Sequence, residues 1–222
     1  MNNKSLIENF VKLTDVERAS TEQYALANGY SVEEVLKNRL SQKVERVIAT
    51  WRKQCSPEFD ETDMSRLNQK KLNIVLDADM SNGIGLYLHG KAGVGKTRLA
   101  FVKLAQQFSM GVTGFIYMTP FDFVQFSNTT IYRADEGREL MDKLSNCWIL
   151  FIDDVFKDVL SKAQDMFLFS VLSKRKEWKR PVIMTSNVNY DDIPMYFVDD
   201  GKNTKSDALM RRIGEMCQIV KC

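Results

Sequence analysis

Gly90-Lys91-Ala92-Gly93-Val94-Gly95-Lys96-Thr97 decides how this chain is read. It fits G-x-x-x-x-G-K-[ST], the phosphate-binding P-loop. Glycines let the backbone turn tightly and put no Cβ in the way of a phosphate. Successive N–H groups then face inward as an anion-binding nest. The helix that follows adds its N-terminal N–H groups and dipole. The predicted phosphate cradle is Gly90, Ala92, Gly93, Val94, Gly95, Lys96, Thr97 and Arg98. Lys96 is expected to reach the β- and γ-phosphates, and the Thr97 hydroxyl to bind Mg²⁺. The flanks agree: Ile84 to His89 is an apolar run of strand type, and Thr97 to Leu104 has helical spacing of apolar residues. The four fixed positions arise by chance in roughly 1% of chains this long. The alternative is a glycine-rich strand-to-helix turn with no ligand.

Two later runs extend the pattern. Trp148-Ile149-Leu150-Phe151-Ile152-Asp153-Asp154 is continuously apolar and ends in two carboxylates. A parallel strand buried on both faces reads this way. Acids at its C-terminal end would sit beside the P-loop, where such sheets bind ligands. Asp153 is expected to hold Mg²⁺ through water, and Asp154 to orient the attacking water. The alternative is an acidic helix cap. Pro181 to Asn187 reads as a further strand, with Asn187 where a sensor of the γ-phosphate would sit. Otherwise Asn187 only forms a turn.

Composition excludes some classes. With 44% hydrophobic and 27% charged residues the chain is of ordinary soluble type. A formal net charge of +2 is too small to argue for nucleic acid, so any such claim rests on local patches. No run of 18 apolar residues suggests a membrane helix, and Met1-Asn2-Asn3-Lys4 does not open a signal peptide. Cys55, Cys147, Cys217 and Cys222 form no C-x-x-C pair, which argues against a zinc site and a disulfide framework. The expectation is a cytoplasmic protein with reduced thiols.

Outward from the motifs, residues 1 to about 55 read as helical. Gly29 looks like a C-cap, and Ser31 opens a capping box with Glu34. The next helix carries Val35, Leu36, Leu40, Val44, Val47, Ile48 and Trp51 on one side. Lys37, Arg39, Lys43, Arg46, Arg52 and Lys53 lie on the other. That basic side meets DNA or a partner, or is a solvated face. Pro57 breaks the helix, and the acidic turn Glu58 to Asp63 follows. A helix is expected over 64–80 and a strand over 114–118. Phe121, Phe123, Phe126 and Tyr132, near Arg133 and Arg138, can stack and neutralise a single strand, or form helix core. Residues 161–178 read as a helix with Met166, Phe167, Phe169, Val171 and Leu172 buried, ending in Lys174, Arg175, Lys176, Lys179 and Arg180. Asp199 to Asn203 reads as an exposed loop, Ala208 to Ile213 as the start of a last helix, and Gln218 to Val220 as a final strand.

Taken together, GKAGVGKT at 90–97, ILFIDD at 149–154, VIMTSN at 182–187 and LMRRI at 209–213 resemble the AAA+ ATPases of the DnaC/DnaI helicase-loader and IstB transposition-helper group. The resemblance covers roughly residues 57–222. It implies an α/β P-loop NTPase fold: a five-stranded parallel sheet of order 5-1-4-3-2 flanked by helices. By position Lys96 and Thr97 match Walker A, Asp153 and Asp154 Walker B, Asn187 sensor 1, and Arg212 an arginine finger, with Arg211 the lesser choice.

Domain and function expectations follow from that resemblance. Residues 1–57 are a helical segment for partner or DNA docking, and 58–222 the AAA+ ATPase domain. AAA+ proteins commonly add a C-terminal helical lid with a sensor 2 arginine. Here the sequence stops ten residues after Arg212, so no lid is expected. Asp154 stands where many AAA+ motors have Glu, which implies slow turnover. The N-terminal segment lacks the cysteines of the zinc-binding domain seen in some DnaI-type loaders.

The implied function is an ATP-hydrolysing DNA-replication factor using ATP/ADP and Mg²⁺. It would contact a replicative helicase and single-stranded DNA and form an ATP-dependent homo-oligomer, with no membrane. Three alternatives stand beside it. One is an IstB-like transposition helper that bridges a transposase and duplex DNA. Another is a nucleotide-binding switch or inhibitor with little turnover. The last is a small-molecule kinase, against which no arginine-bearing lid segment lies between the third and fourth strands.

Overall fold

A computed structural model describes residues 2–112, 114–197 and 204–222. The expected loop Asp199 to Asn203 lies outside the described residues. The chain divides into two units: Met1–Arg66 with Phe101–Thr113, and Leu67–Ala100 with Gly114–Cys222.

In the first unit, α1 (Asn3–Phe10), α2 (Asp15–Ala27), α3 (Val32–Gln54) and the short α4 (Pro57–Asp60) precede a 3-10 turn at Met64–Arg66. Thr14 and Glu17 cap α2 reciprocally: Thr14 N donates to Glu17 Oε2 at 2.8 Å, and Glu17 N to the Thr14 hydroxyl at 3.2 Å. Lys43 of α3 adds its ammonium to the same carboxylate at 2.6 Å. Gly29, just past α2, has φ +69, and Tyr30 N reaches back to Ala25 O at 2.9 Å, as a C-cap requires. Ser31 accepts from Glu34 N.

Only Ile48 and Trp51 of the expected apolar side of α3 are buried. Trp51 meets Phe108 edge-on at 5.4 Å, and Phe59 stacks on Phe101 at 4.1 Å. The acidic turn after Pro57 therefore belongs with the helices, and the first unit takes in more chain than residues 1–57. Asp60, in the expected acidic turn, is buried and accepts from the Trp51 indole N–H at 2.9 Å and from Arg52 Nε at 3.2 Å.

The second unit holds the sheet. Its order of elements is α5 (Gln69–Asp77), β1 (Gly85–His89), the start of α6 (Lys96–Ser109), β2 (Phe115–Met118), α7 (Pro120–Tyr132), α8 (Ala134–Asn146), β3 (Ile149–Ile152), α9 (Lys162–Glu177), β4 (Val182–Ser186), a 3-10 stretch Tyr190–Tyr196, α10 (Thr204–Met216) and β5 (Cys217–Lys221). The helix expected over 64–80 is thus a 3-10 turn followed by the shorter α5. The strands pair in parallel as β2-β3-β4-β1-β5, the order that the resemblance implies. Leu86 faces Ile183, Gly85 faces Cys217, Phe151 faces Ile183, and Tyr117 faces Phe151.

Every residue of β1, β3 and β4 is buried, because helices cover both faces of the sheet's centre. The edge strands β2 and β5 are only partly buried. On α9 the buried stripe is Phe167, Leu168, Val171, Leu172 and Arg175. Met166 and Phe169 fall outside it and are exposed, contrary to expectation. Their positions lie off the stripe that spacings of three and four residues trace on a helix.

Arg175 departs furthest from its sequence reading. It stands in the basic run that ends the helix, yet its side chain is fully buried. It donates to the carbonyls of Leu144, Cys147, Trp148 and Pro181 and to Cys147 Sγ. Those carbonyls belong to the end of α8 and the turns that enter β3 and β4. All four cysteines are free. Among the described residues, no helix is long and apolar enough to cross a membrane.

Candidate nucleotide site

The loop between β1 and α6 is built by close backbone approach. Gly90 N donates to Ser186 O at 3.1 Å, and Cys222 N to His89 O at 2.7 Å, which anchors the loop's start between β4 and the end of β5. A Cβ on Gly90 would stand 2.6 Å from Cys222 O, so only glycine fits. Gly93 and Gly95 have φ +81 and +91, in the left-handed region. The tip of the loop, Lys91 to Val94, is exposed, and α6 begins at Lys96. Loop N–H groups and the first turn of a 14-residue helix therefore face one accessible place. Arg98 lies in that first turn, partly exposed.

Lys96 is 7% exposed, and its ammonium donates to Gly90 O, Lys91 O and Asn187 Oδ1, each at 2.9 Å. Asn187 in turn donates through Nδ2 to Asp154 Oδ1 at 3.0 Å. Beside this chain lies a second. Thr97 Oγ1 donates to Asp153 Oδ1 at 2.9 Å, Tyr117 OH donates to Asp153 Oδ2 at 3.0 Å, and Thr185 Oγ1 also donates to Asp153 Oδ1. Asp154 N closes the network on Thr185 Oγ1 at 2.8 Å. Five residues singled out in the sequence, Lys96, Thr97, Asp153, Asp154 and Asn187, thus meet at the C-terminal ends of β1, β3 and β4.

The segment after β3 has unusual backbone. Asp154 has φ +49 and Phe156 φ +61. Such conformations cost roughly 1–3 kcal/mol each for ordinary residues. Val155 N to Thr185 O at 2.8 Å, and the Ser186 hydroxyl to Val155 O at 2.6 Å, stitch the turn to β4 and offset that cost. The result aims Asp154 back toward Asn187 and Lys96.

Tyr117 and Thr185 carry no motif signal and were not singled out as site residues. A threonine inside the apolar run of β4 was the available hint, since a buried hydroxyl needs a partner. Arg212 does not join the network. Its side chain is about one quarter exposed, lies over the Phe169 ring at 5.8 Å from the centroid, and pairs with Glu215 at 3.7 Å. Arg211 beside it is exposed.

The donor set suits a hard divalent cation. The Thr97 hydroxyl and the Asp153 carboxylate are both oxygen ligands of the type Mg²⁺ takes, within 2.9 Å of one another beside the phosphate cradle.

A parallel sheet of this order, with a P-loop on its first strand and paired carboxylates on its third, defines an AAA+ nucleotide-binding domain. More narrowly, the family described as IstB-like ATP binding protein matches residues 3–222, and the chain belongs to that family. Solved structures share the fold. DnaI aligns at 20% identity and a TM-score of 0.56, over 69% of this chain and 81% of that one. The DnaC helicase loader aligns at 21% and 0.51, over 69% and 86%. The replication initiator DnaA bound to AMPPCP and single-stranded DNA aligns at 20% and 0.54, over 71% of this chain and 46% of DnaA. Comparison with curated proteins gives no match.

Proposed function

We propose that this chain is an Mg²⁺-dependent ATPase of slow turnover that acts in DNA replication in the manner of a helicase loader. The observation that carries the reading is the linked set Lys96–Asn187–Asp154 and Thr97–Asp153 beside the loop. ATP phosphates would lie on the N–H groups of residues 90–98, with Lys96 turning from its loop carbonyls to the β/γ-phosphates. Thr97 and Asp153 would hold Mg²⁺, which neutralises phosphate charge and polarises the γ-phosphoryl group. Asp154, restrained by Asn187, would orient the attacking water, and Asn187 would sense the γ-phosphate.

Arg212 would serve a neighbouring subunit as an arginine finger. That requires it to leave Glu215, so hydrolysis would depend on assembly. Single-stranded DNA would meet α7, where Phe121 and Tyr132 are about three-quarters exposed and Arg133 and Arg138 lie nearby. Phe123 is buried and serves the core. Residues 1–57 would dock on a replicative helicase. The family match supports a second reading, a transposition helper that bridges a transposase and duplex DNA. Co-precipitation of helicase or of transposase separates the two.

Asp154→Asn keeps side-chain size and the Asn187 contact but removes the carboxylate. Mg²⁺·ATP affinity should hold while hydrolysis drops on the order of 10²-fold or more. Wild-type turnover in this variant would mean that Asp154 only shapes the turn.

A further inference from the structure

The turns that enter β3 and β4 lie at the end of the sheet opposite the phosphate cradle, and they carry two exposed indoles. Trp148 is 55% exposed and Trp178 64%. The Arg180 guanidinium lies over the Trp148 ring at 4.4 Å from its centroid. Indoles offer large apolar faces that folding normally covers, and contiguous exposed apolar surface marks an interaction site.

The charge around them is mainly positive. From Lys174 to Arg180 the sequence holds five basic residues and one acidic residue, Glu177. Lys174 is answered by Asp142, and Lys176 by Glu215. Among the described residues, no carboxylate lies within ion-pair distance of Lys179 or Arg180. Beneath them Arg175 adds a buried cation whose acceptors are carbonyls and a thiol.

The frame is rigid. One guanidinium nitrogen of Arg175 binds both Trp148 O and Pro181 O, locking the two turns together. Lys179 is held at φ +50, and Arg180 N returns to Arg175 O at 2.8 Å. The ordering cost of presenting the rings is thus met in the folded chain.

We propose that this end of the sheet is a second contact for single-stranded nucleic acid. Bases stack on Trp148 and Trp178, and Lys179 and Arg180 neutralise the adjoining phosphates. The Arg180–Trp148 pair is already a stacked unit, which a base extends. A protein partner fits less well, because the cores of protein interfaces are depleted in lysine and Lys179 adjoins Trp178. The contact shares a partner class with the α7 surface but not its residues, and it does not require nucleotide.

Intrinsic emission provides the test. The chain has three tryptophans, and Trp51 is fully buried. Titration of the whole protein with oligothymidylate at low salt, without ATP, should quench Trp148 and Trp178. Anisotropy of a labelled oligomer should show Trp148→Ala and Trp178→Ala each weakening binding about tenfold. Lys179→Glu with Arg180→Glu should weaken binding further and flatten the salt dependence.

Wild-type affinity in the double tryptophan variant, with native circular dichroism, overturns the proposal. So does loss of all affinity in Phe121→Ala/Tyr132→Ala alone, with no quenching by the oligomer, because binding would then reside on α7. Binding of an acidic protein with no response to oligomer also overturns it. Mg²⁺·ATP affinity should be unchanged in the double tryptophan variant, so failure here leaves the nucleotide reading standing.

Discussion

Lys96 and Arg175 are both buried cations, one at each end of the same sheet, and both are answered largely by backbone carbonyls. They differ in how exchangeable those answers are. Lys96 is a point charge on a flexible stem with three rotatable donors. It touches two carbonyls of a loop whose tip is exposed, and one amide side chain. A phosphate oxygen can replace any of these. Arg175 is a planar fork set into four carbonyls of three segments, with no acidic partner among the described residues. Nothing soluble can replace that set without opening the core. A buried cation with exchangeable neutral acceptors forms a binding device, whereas one with locked acceptors forms scaffold.

Arg212 breaks this division, since it is half-buried and pairs with a carboxylate, Glu215. If it is a finger in trans, Arg212→Ala should lower hydrolysis about 10³-fold while leaving monomer stability and nucleotide affinity nearly intact. Wild-type activity per subunit should rise with protein concentration. A mixture of Arg212→Ala and Lys96→Ala should regain activity where an intact finger meets an intact loop. Activity independent of concentration, together with a dead mixture, would make Arg212 a packing residue on Phe169.

Next in size is the scaffold cation. Arg175→Leu leaves carbonyls at the entries of β3 and β4 without donors and should destabilise the second unit by about 3 kcal/mol. Urea unfolding followed by circular dichroism reads this directly. A loss below about 1 kcal/mol would mean that the turns hold without the fork. The binding cation should behave in the opposite way. Lys96→Ala should weaken ATP by on the order of 2–3 kcal/mol, seen by calorimetry, with little change in unfolding. Unchanged affinity would remove the P-loop assignment.

The smallest effect belongs to a cation at the surface of the first unit. The Lys43 ammonium and the Thr14 backbone N–H hold Glu17 down to about 2, from an ordinary value near 4.5. A depressed carboxylate adds stability that is fully present above its unfolded value and is lost as pH falls through the folded one. Glu17 is about one-third exposed, so solvent screening keeps the pair under about 1 kcal/mol. The advantage of wild type over Glu17→Gln in urea should be present at pH 6, shrink below about pH 4.5 and vanish near pH 2. A constant gap across that range would assign it to helix capping alone.

What could be read in the sequence follows the same lines. The loop at 90–97, the carboxylates of β3 and Asn187 are set by local spacing, and the strand order came with the family resemblance. Asp60 and Arg175 could not be read, because Asp60 meets Trp51 and Arg52 across the break at Pro57 and Arg175 meets turns, and neither juxtaposition has a periodic pattern. Asp60 lies in an acidic run yet caps an indole, and Arg175 sits in a basic tail yet fills a core. Tyr117 and Thr185 join the carboxylate network only because β2, β3 and β4 are neighbours. The proposed contact with Arg212 of another subunit would likewise be a property of an assembly.

The turn after β3 also bears on which acid stands there. Asp154 sits at φ +49, a region in which aspartate and asparagine are enriched among residues other than glycine. The backbone therefore favours aspartate there, apart from any role in catalysis. Glutamate at this position would bear the same backbone strain without that preference, on a turn tied to β4 through Asp154 N and Val155 N. An exchange to glutamate here would therefore probe the shape of a peptide turn together with the proposed chemistry of the site.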